Sequence, residues 1–235
     1  MDFLALCNDV ARETGTLSGG ASLVSVTGLT GRADKIANWV RNAWLNIQNE
    51  RDQWFWMIRD FTASVTVAGG ARYTGAQLSQ TRVAKWIGDS KEEITFSIYD
   101  PAIGLTDEGE ITEISWALWR SRYGRGYHDP GKPIEWAASP QNELCLGPTP
   151  DQNYTIRGLY RLTPQTLTAS ADIPEMPERF HRCITWEAIR ALANSDEAQI
   201  SANTATQDFV LLRQALNRDQ LPATTVDLTG DGPIA

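Results

Sequence analysis

The chain has 235 residues, 42% of them hydrophobic, and its 21 Lys and Arg against 29 Asp and Glu give a formal net charge of -8 at pH 7. That length allows one large domain or two small ones, which can bury roughly 70% of the unfolded surface without disulfide or metal staples. The acidity opposes tight binding of duplex DNA, where affinity comes largely from Lys and Arg displacing counterions, so nucleic acid is not expected as a specific ligand.

Asp2 to Thr14 reads as an amphipathic helix, with Phe3, Leu6, Cys7 and Val10 on one face, Asp9, Arg12 and Glu13 off it, and Gly15 ending it. Leu17 to Leu29 is rich in Ser, Gly and Thr and reads as an ordered loop or short extended piece, with Thr30 a candidate N-cap. A longer helix is expected from Gly31 to about Arg51, its inner face formed by Ile36, Val40, Ala43 and Ile47 and flanked by Trp39 and Trp44.

From Asp60 the hydrophobic period becomes two: Phe61, Ala63, Val65 and Val67 alternate with polar residues, and Gly69-Gly70 reads as the turn of a hairpin leading to Ala71–Thr74. Further strand candidates are 83–87, 94–99, 109–119, 134–137, 143–146 and 154–160. Within 110–122 the spacing of Ile111, Ile114, Leu118 and Trp119 favours a short helix.

Pro174 to Ser195 is the segment around which the rest is organised. Pro177 suits the first helical position and Glu178 the positive end of the helix dipole. Phe180, Cys183, Ile184, Ala188, Ala191 and Leu192 recur at helical spacing, while Trp186, Ile189 and Ala193 form a second stripe. A helix apolar on two faces is packed on two sides. A last helix is expected over Asp196 to Arg218, marked by Phe209, Leu212 and Leu216. Pro222 then closes the folded part, and 223–235 form an extended tail with a β-prone patch at Thr224, Thr225, Val226 and Leu228.

The expected fold is therefore α+β. It has a discontinuous α-helical bundle core (1–60 and 173–221), a β-rich insertion (61–172) and an extended C-terminal tail (222–235). Pro177, Phe180, Ile184, Trp186 and Leu192 are the expected organisers of the core.

Motifs for chemistry fail at specific positions. Gly126 to Pro133 has P-loop spacing, but Pro133 stands where Ser or Thr would hold magnesium and a strand pattern follows in place of a helix. Asp227 to Gly232 copies the first half of an EF-hand loop without its bidentate Glu. His128 and His181 lack neighbours at metal-ligand spacing, and no GxSxG elbow supports a hydrolytic triad. Cys7, Cys145 and Cys183 contain no CxxC pair, which favours a reducing compartment and three small apolar side chains. Asp107, Glu108, Glu110 and Glu113 beside Trp116 and Trp119 could be drawn as a glycosidase pair with a stacking platform, but a solvated acidic face over a tryptophan anchor is the plainer reading. No catalytic residue, cofactor or metal is expected. With no basic leader before Phe3 and no apolar run of about 18 residues, a soluble chain with neither signal peptide nor membrane span is expected.

Several segments, in order, resemble the head-to-tail adaptor proteins of tailed bacteriophages. They are Ser97-Ile98-Tyr99-Asp100, Ile114 to Arg120 with Tyr123-Gly124, Lys132 to Trp136, Leu146 to Asp151, Tyr154 to Tyr160, and Ile173 to His181 leading into the central helix. The resemblance covers most of the chain after Arg51 and rests on turns and aromatics, with no catalytic signature. It implies a structural virion protein at the capsid-tail junction, made in the host cytoplasm. Such proteins form a ring, typically of twelve copies, under the portal, joining it to the tail or nozzle while duplex DNA passes through without specific binding. It also implies that the C-terminal tail reaches the portal, with Leu221, Thr224, Thr225, Val226, Leu228 and Ile234 as candidate contacts, by strand addition through 224–228. A gatekeeper or tail-completion protein is the near alternative, and a glycan-binding or glycan-degrading tail protein the distant one.

Overall fold

The structure, a computed structural model, describes residues 1–16, 22–67, 70–88, 96–195 and 202–221. These are mixed α+β. The helices are α1 (Phe3–Glu13), α2 (Gly31–Glu50), α3 (Trp116–Arg122), α4 (Arg182–Ser195) and α5 (Ala202–Gln220). The strands are β1 (Ile58–Val65), β2 (Arg72–Tyr73), β3 (Val83–Ile87), β4 (Phe96–Tyr99), β5 (Gly109–Glu113), β6 (Glu135–Ala138), β7 (Leu144–Gly147) and β8 (Tyr154–Leu162). The chain divides into two units: Met1–Trp56 together with the stretch from Pro164 onward, and Met57–Thr163.

In the first unit Asp2 caps α1, its carboxylate accepting from the Ala5 N–H at 2.8 Å, and Gly15 takes the left-handed conformation (φ +59°) just past the helix end. Phe3, Leu6, Cys7 and Val10 are buried as the spacing predicts. Asp9 is buried too, contrary to its expected place off that face; Arg12 one turn on and Arg182 of α4, at 3.9 Å, supply the opposite charge that such burial requires. On α2, Trp44 belongs to the inner face, fully buried with Ile36, Val40, Ala43 and Ile47. Thr30 occupies the N-cap position without a side-chain capping bond.

Helix α4 packs against α1, α2 and α5, with Cys183, Ile184, Ala188, Ile189 and Leu192 fully buried. Its start is corrected by the structure. Pro177 is extended (ψ 134°) and precedes a 3₁₀ turn, Glu178–Phe180, so the α-helix itself begins at Arg182. The tighter bonds from Phe180 N–H to Pro177 O (2.9 Å) and from His181 N–H to Glu178 O (3.0 Å) replace α-helical ones. Phe180 is buried, whereas Trp186 is half-buried beneath the Arg182 guanidinium, 5.5 Å from its ring centroid.

The expected boundaries at 60 and 172 differ from the observed division chiefly in residues 164–172, which bond to helices of the first unit. The Gln48 amide donates to Gln165 O (2.9 Å) and accepts from Gln165 N (2.7 Å), Arg41 donates to Leu167 O (3.0 Å), and Phe3 N–H donates to Asp172 O (2.8 Å). Leu167 is fully buried, and the Asp172 carboxylate, accepting from the Thr168 and Ala169 N–H groups, is held below its ordinary pKa.

In the second unit the sheet order is β1-β8-β4-β5-β6-β7-β2, with β3 also on β8. The β1 register with β8 runs from Ile58↔Arg161 to Val65↔Tyr154, and Phe61, Ala63 and Val65 face inward. The expected β1-to-β2 hairpin does not form. β1 pairs with β8, while β2 pairs with β7 (Arg72↔Cys145, Tyr73↔Leu144). The buried Tyr73 hydroxyl donates to Thr66 O (2.7 Å) and Gly70 O (2.8 Å), which fastens both of these residues to β2.

The short helix expected over 110–122 is also corrected: its first part is β5, where Ile111 is buried opposite Phe96, and the helix α3 starts only after Ser115 caps it. Strand β5 runs parallel to β6, with α3 as the crossover. The core of this unit is aromatic. Phe96 stacks on Trp136 at 4.2 Å and lies so close to Gly158 that a Cβ there would meet its ring at 2.6 Å.

Candidate interaction surfaces

Of the acidic residues beside the tryptophans, Asp107 and Glu108 are held by basic partners. The Lys132 ammonium donates to the Asp107 carboxylate (2.7 Å) and to Asp107 O (2.8 Å), while Asp100 N–H donates to the same carboxylate (2.8 Å). The Lys132 bond is the main cause holding Asp107 below its ordinary pKa, with the Asp100 N–H next. Glu108 accepts from Ser97 Oγ and pairs with Arg157 at 3.4 Å. A carboxyl stabilised as the anion is the reverse of a general acid, which needs a raised pKa.

Trp116 and Trp119 stack on each other (5.3 Å, 8°) with the Arg72 guanidinium 5.1 and 5.3 Å from their rings. Trp119 is buried with Ala137 and Cys145, so it anchors α3 to the sheet. The same Lys132 closes the P-loop question: its ammonium is committed to Asp107, and residues 126–134 lead into β6.

One open concavity is lined by Thr74, Ser79, Gln80, Arg82, Val83 and Asn142, among others. Ser79, Arg82 and Asn142 all have positive φ there, and Asn142 donates to Val83 O (2.8 Å). Arg82 is the one titratable side chain in that lining.

His181 is buried and bridges by both ring nitrogens, Nδ1 lying 2.8 Å from the Met1 amino nitrogen and Nε2 donating to Met176 O at 3.0 Å. Burial lowers its pKa below 6.5, outweighing the Met176 bond and the nearby Glu178 carboxylate. Below pH 6.5 the unfolded chain therefore takes up a proton that the folded chain resists, and stability falls as the pH falls through that window. Urea midpoints at pH 7.5 and 5.0 should show wild type losing more stability on acidification than His181→Gln, which keeps a donor for Met176 O. Equal losses would contradict this placement. Cys7, Cys145 and Cys183 are buried free thiols whose pKa values burial raises to about 12, 12 and 11.

Of the candidate tail contacts, Leu221 is half-buried directly after α5, its N–H donating to Asn217 O at 3.1 Å. Thr224, Thr225, Val226, Leu228 and Ile234 lie outside the described residues, as does the EF-hand-like 227–232. Around Leu221, Asp219 pairs with Arg179 of the turn before α4, so the end of α5 is fixed next to that turn. The sequence reading missed Arg213. It lies on α5 in the row of Phe209 and Leu216, is buried, pairs with Glu50 and stacks over Trp54 at 4.8 Å. Its place between buried apolar residues at helical spacing was the available signal.

Residues 1–231 match the family described as SU10 adaptor protein. The chain belongs to the SU10 adaptor protein family. It is thus a member of a phage head-to-tail adaptor family, a class of virion structural component. No curated protein matches the chain. Among the described residues no helix is long and apolar enough to cross a membrane, and no group of three or more His, Cys, Asp or Glu residues is placed to hold a metal ion. In this SU10 adaptor, Lys132, Asp107, Glu108 and Trp119 are committed to internal contacts, while Tyr127 stays exposed.

Proposed function

We propose that this protein is the structural connector between capsid and tail. On this reading copies close into a dodecameric ring under the portal, the helical part forms a bundle core, and the β-rich part lies toward the tail or nozzle. Duplex DNA passes through the ring without being read. The family match over residues 1–231 carries the reading. The net charge of -8 supports it as well, because an acidic protein around a channel lets DNA slide without adhering.

Attachment to the portal is assigned to residues 221–235. Leu221 leaves α5 beside the Arg179–Asp219 pair, a fixed point from which a segment can extend, and Thr224 to Leu228 is rich in residues that add readily as a strand. Co-sedimentation with purified portal rings tests this. The full chain should sediment with the rings, and a chain ending at Gln220 should stay in the supernatant. Equal sedimentation would remove the tail from the mechanism.

A further inference from the structure

The longest stretch free of acidic side chains around α3, residues 114–128, carries Arg120, Arg122 and Arg125 in a chain whose net charge is -8. Arg122 is neutralised by Glu135. Arg120 and Arg125 are exposed and form no ion pair among the described residues.

The loop after α3 is held in place. Tyr123 donates its hydroxyl to Glu135 at 2.9 Å, its ring meets His128 edge-on at 6.0 Å, and Nε2 of His128 lies 2.7 Å from Arg125 O. Behind it, Gly147 lies so close that a Cβ would fall 2.3 Å from the Tyr123 ring. This fixed loop exposes Tyr127 almost completely, at 85%, while Leu118 on α3 and Ile134 ahead of β6 are 38% and 60% exposed.

We infer that the exposed side chains of segment 118–134, Leu118, Arg120, Arg125, Tyr127 and Ile134, belong to one half of a heterologous interface that seats on the acidic surface of a second copy of the chain. Two observations select that occupant. Free guanidiniums on an acidic protein are complementary to the rest of the same protein, and charge complementarity steers like molecules into one head-to-tail register. An exposed Tyr with Arg neighbours and aliphatic flanks has the composition of a protein-contact core, whereas phosphate would use the two guanidiniums and leave Leu118 and Ile134 without a role. The inference rests on the reading of the protein as a ring subunit, and it names the patch that reading requires.

The test places a photo-crosslinking phenylalanine analogue at position 127 of the full chain. The protein is irradiated alone at high concentration, with portal rings, and with duplex DNA, and the adducts are sequenced by mass spectrometry. Adducts joining position 127 to another copy are expected. The Arg120→Glu, Arg125→Glu double variant should lower their yield by at least about tenfold, the least that reversing two contact charges should cost. That variant should melt with wild type, because neither side chain has an ion-pair partner among the described residues. Adducts to portal or DNA in place of self-adducts, or no adducts at all, would overturn the inference. If wild type sediments with portal without self-adducts, the interface is wrong and the adaptor reading stands. Self-adducts without portal binding would mean the opposite.

Discussion

Trp136→Ala should destabilise the β-rich unit by about 3–5 kcal/mol, the usual loss for a large aromatic deleted from a core that cannot collapse around the hole. Trp136 is 1% exposed and stacks on Phe96, and the Phe96 ring is wedged against Gly158 with no room for even a methyl. Gly88 also lies close, where an added Cβ would fall 2.4 Å from the Trp136 ring. Backbone at Gly158 on β8 and at Gly88 just past the end of β3 leaves little freedom to refill the space. Urea unfolding followed by near-UV circular dichroism measures the loss, with Tyr127→Ala as the exposed control expected within about 0.5 kcal/mol of wild type. A loss for Trp136→Ala below about 1 kcal/mol would mean that this stack is not the centre of the sheet's core.

The second large effect is asymmetric. Arg213 is buried and meets Glu50 with one Nη, while its Nε and other Nη have no hydrogen-bond partner among the described residues. Burial lowers the Arg213 pKa below the ordinary arginine value, with Glu50 acting in the opposite direction. Removing Glu50 leaves a buried cation without its bonded counter-charge, with only the weaker influence of Glu187 remaining. Glu50→Ala should therefore cost about 2–3 kcal/mol, somewhat under the full value for a buried pair because Glu50 is itself half-exposed. Arg213→Met keeps the volume over Trp54 and deletes the charge, so it should fall within about 1 kcal/mol of wild type, and adding it to Glu50→Ala should recover most of the loss. A double variant as unstable as Glu50→Ala alone would contradict this account of the contact between α2 and α5.

Much of this architecture was legible because its elements are periodic. The stripe of Phe3, Leu6, Cys7 and Val10 and the alternation of Phe61, Ala63 and Val65 both report burial directly, and both are found buried. Pairing was less legible. Gly69-Gly70 signalled a turn, but nothing local says that β1 will take β8, far along the chain, as its partner. The segment 110–122 failed for a related reason: Ile111 and Ile114 fit a helical stripe and a strand equally, and pairing of β5 with β4 and β6 decided between them.

Pro177 carried a real signal of a helical start, displaced to Arg182 by a 3₁₀ turn that the His181 bond to Met176 O accompanies. Burial of Asp9 and Arg213 was hidden because each depends on a charge from another element, Arg182 for one and Glu50 for the other. The surfaces were least legible. Arg120 and Arg125 stand out only once the partners of Arg122 and Lys132 are known.

The proposed assembly is a structural ring of this chain seated on a portal. Electron-microscope class averages of purified portal mixed with excess protein test it most directly. A second, coaxial ring of density under the portal, with the portal's order of symmetry, is the expected result. Portals that remain bare at saturating protein would contradict it.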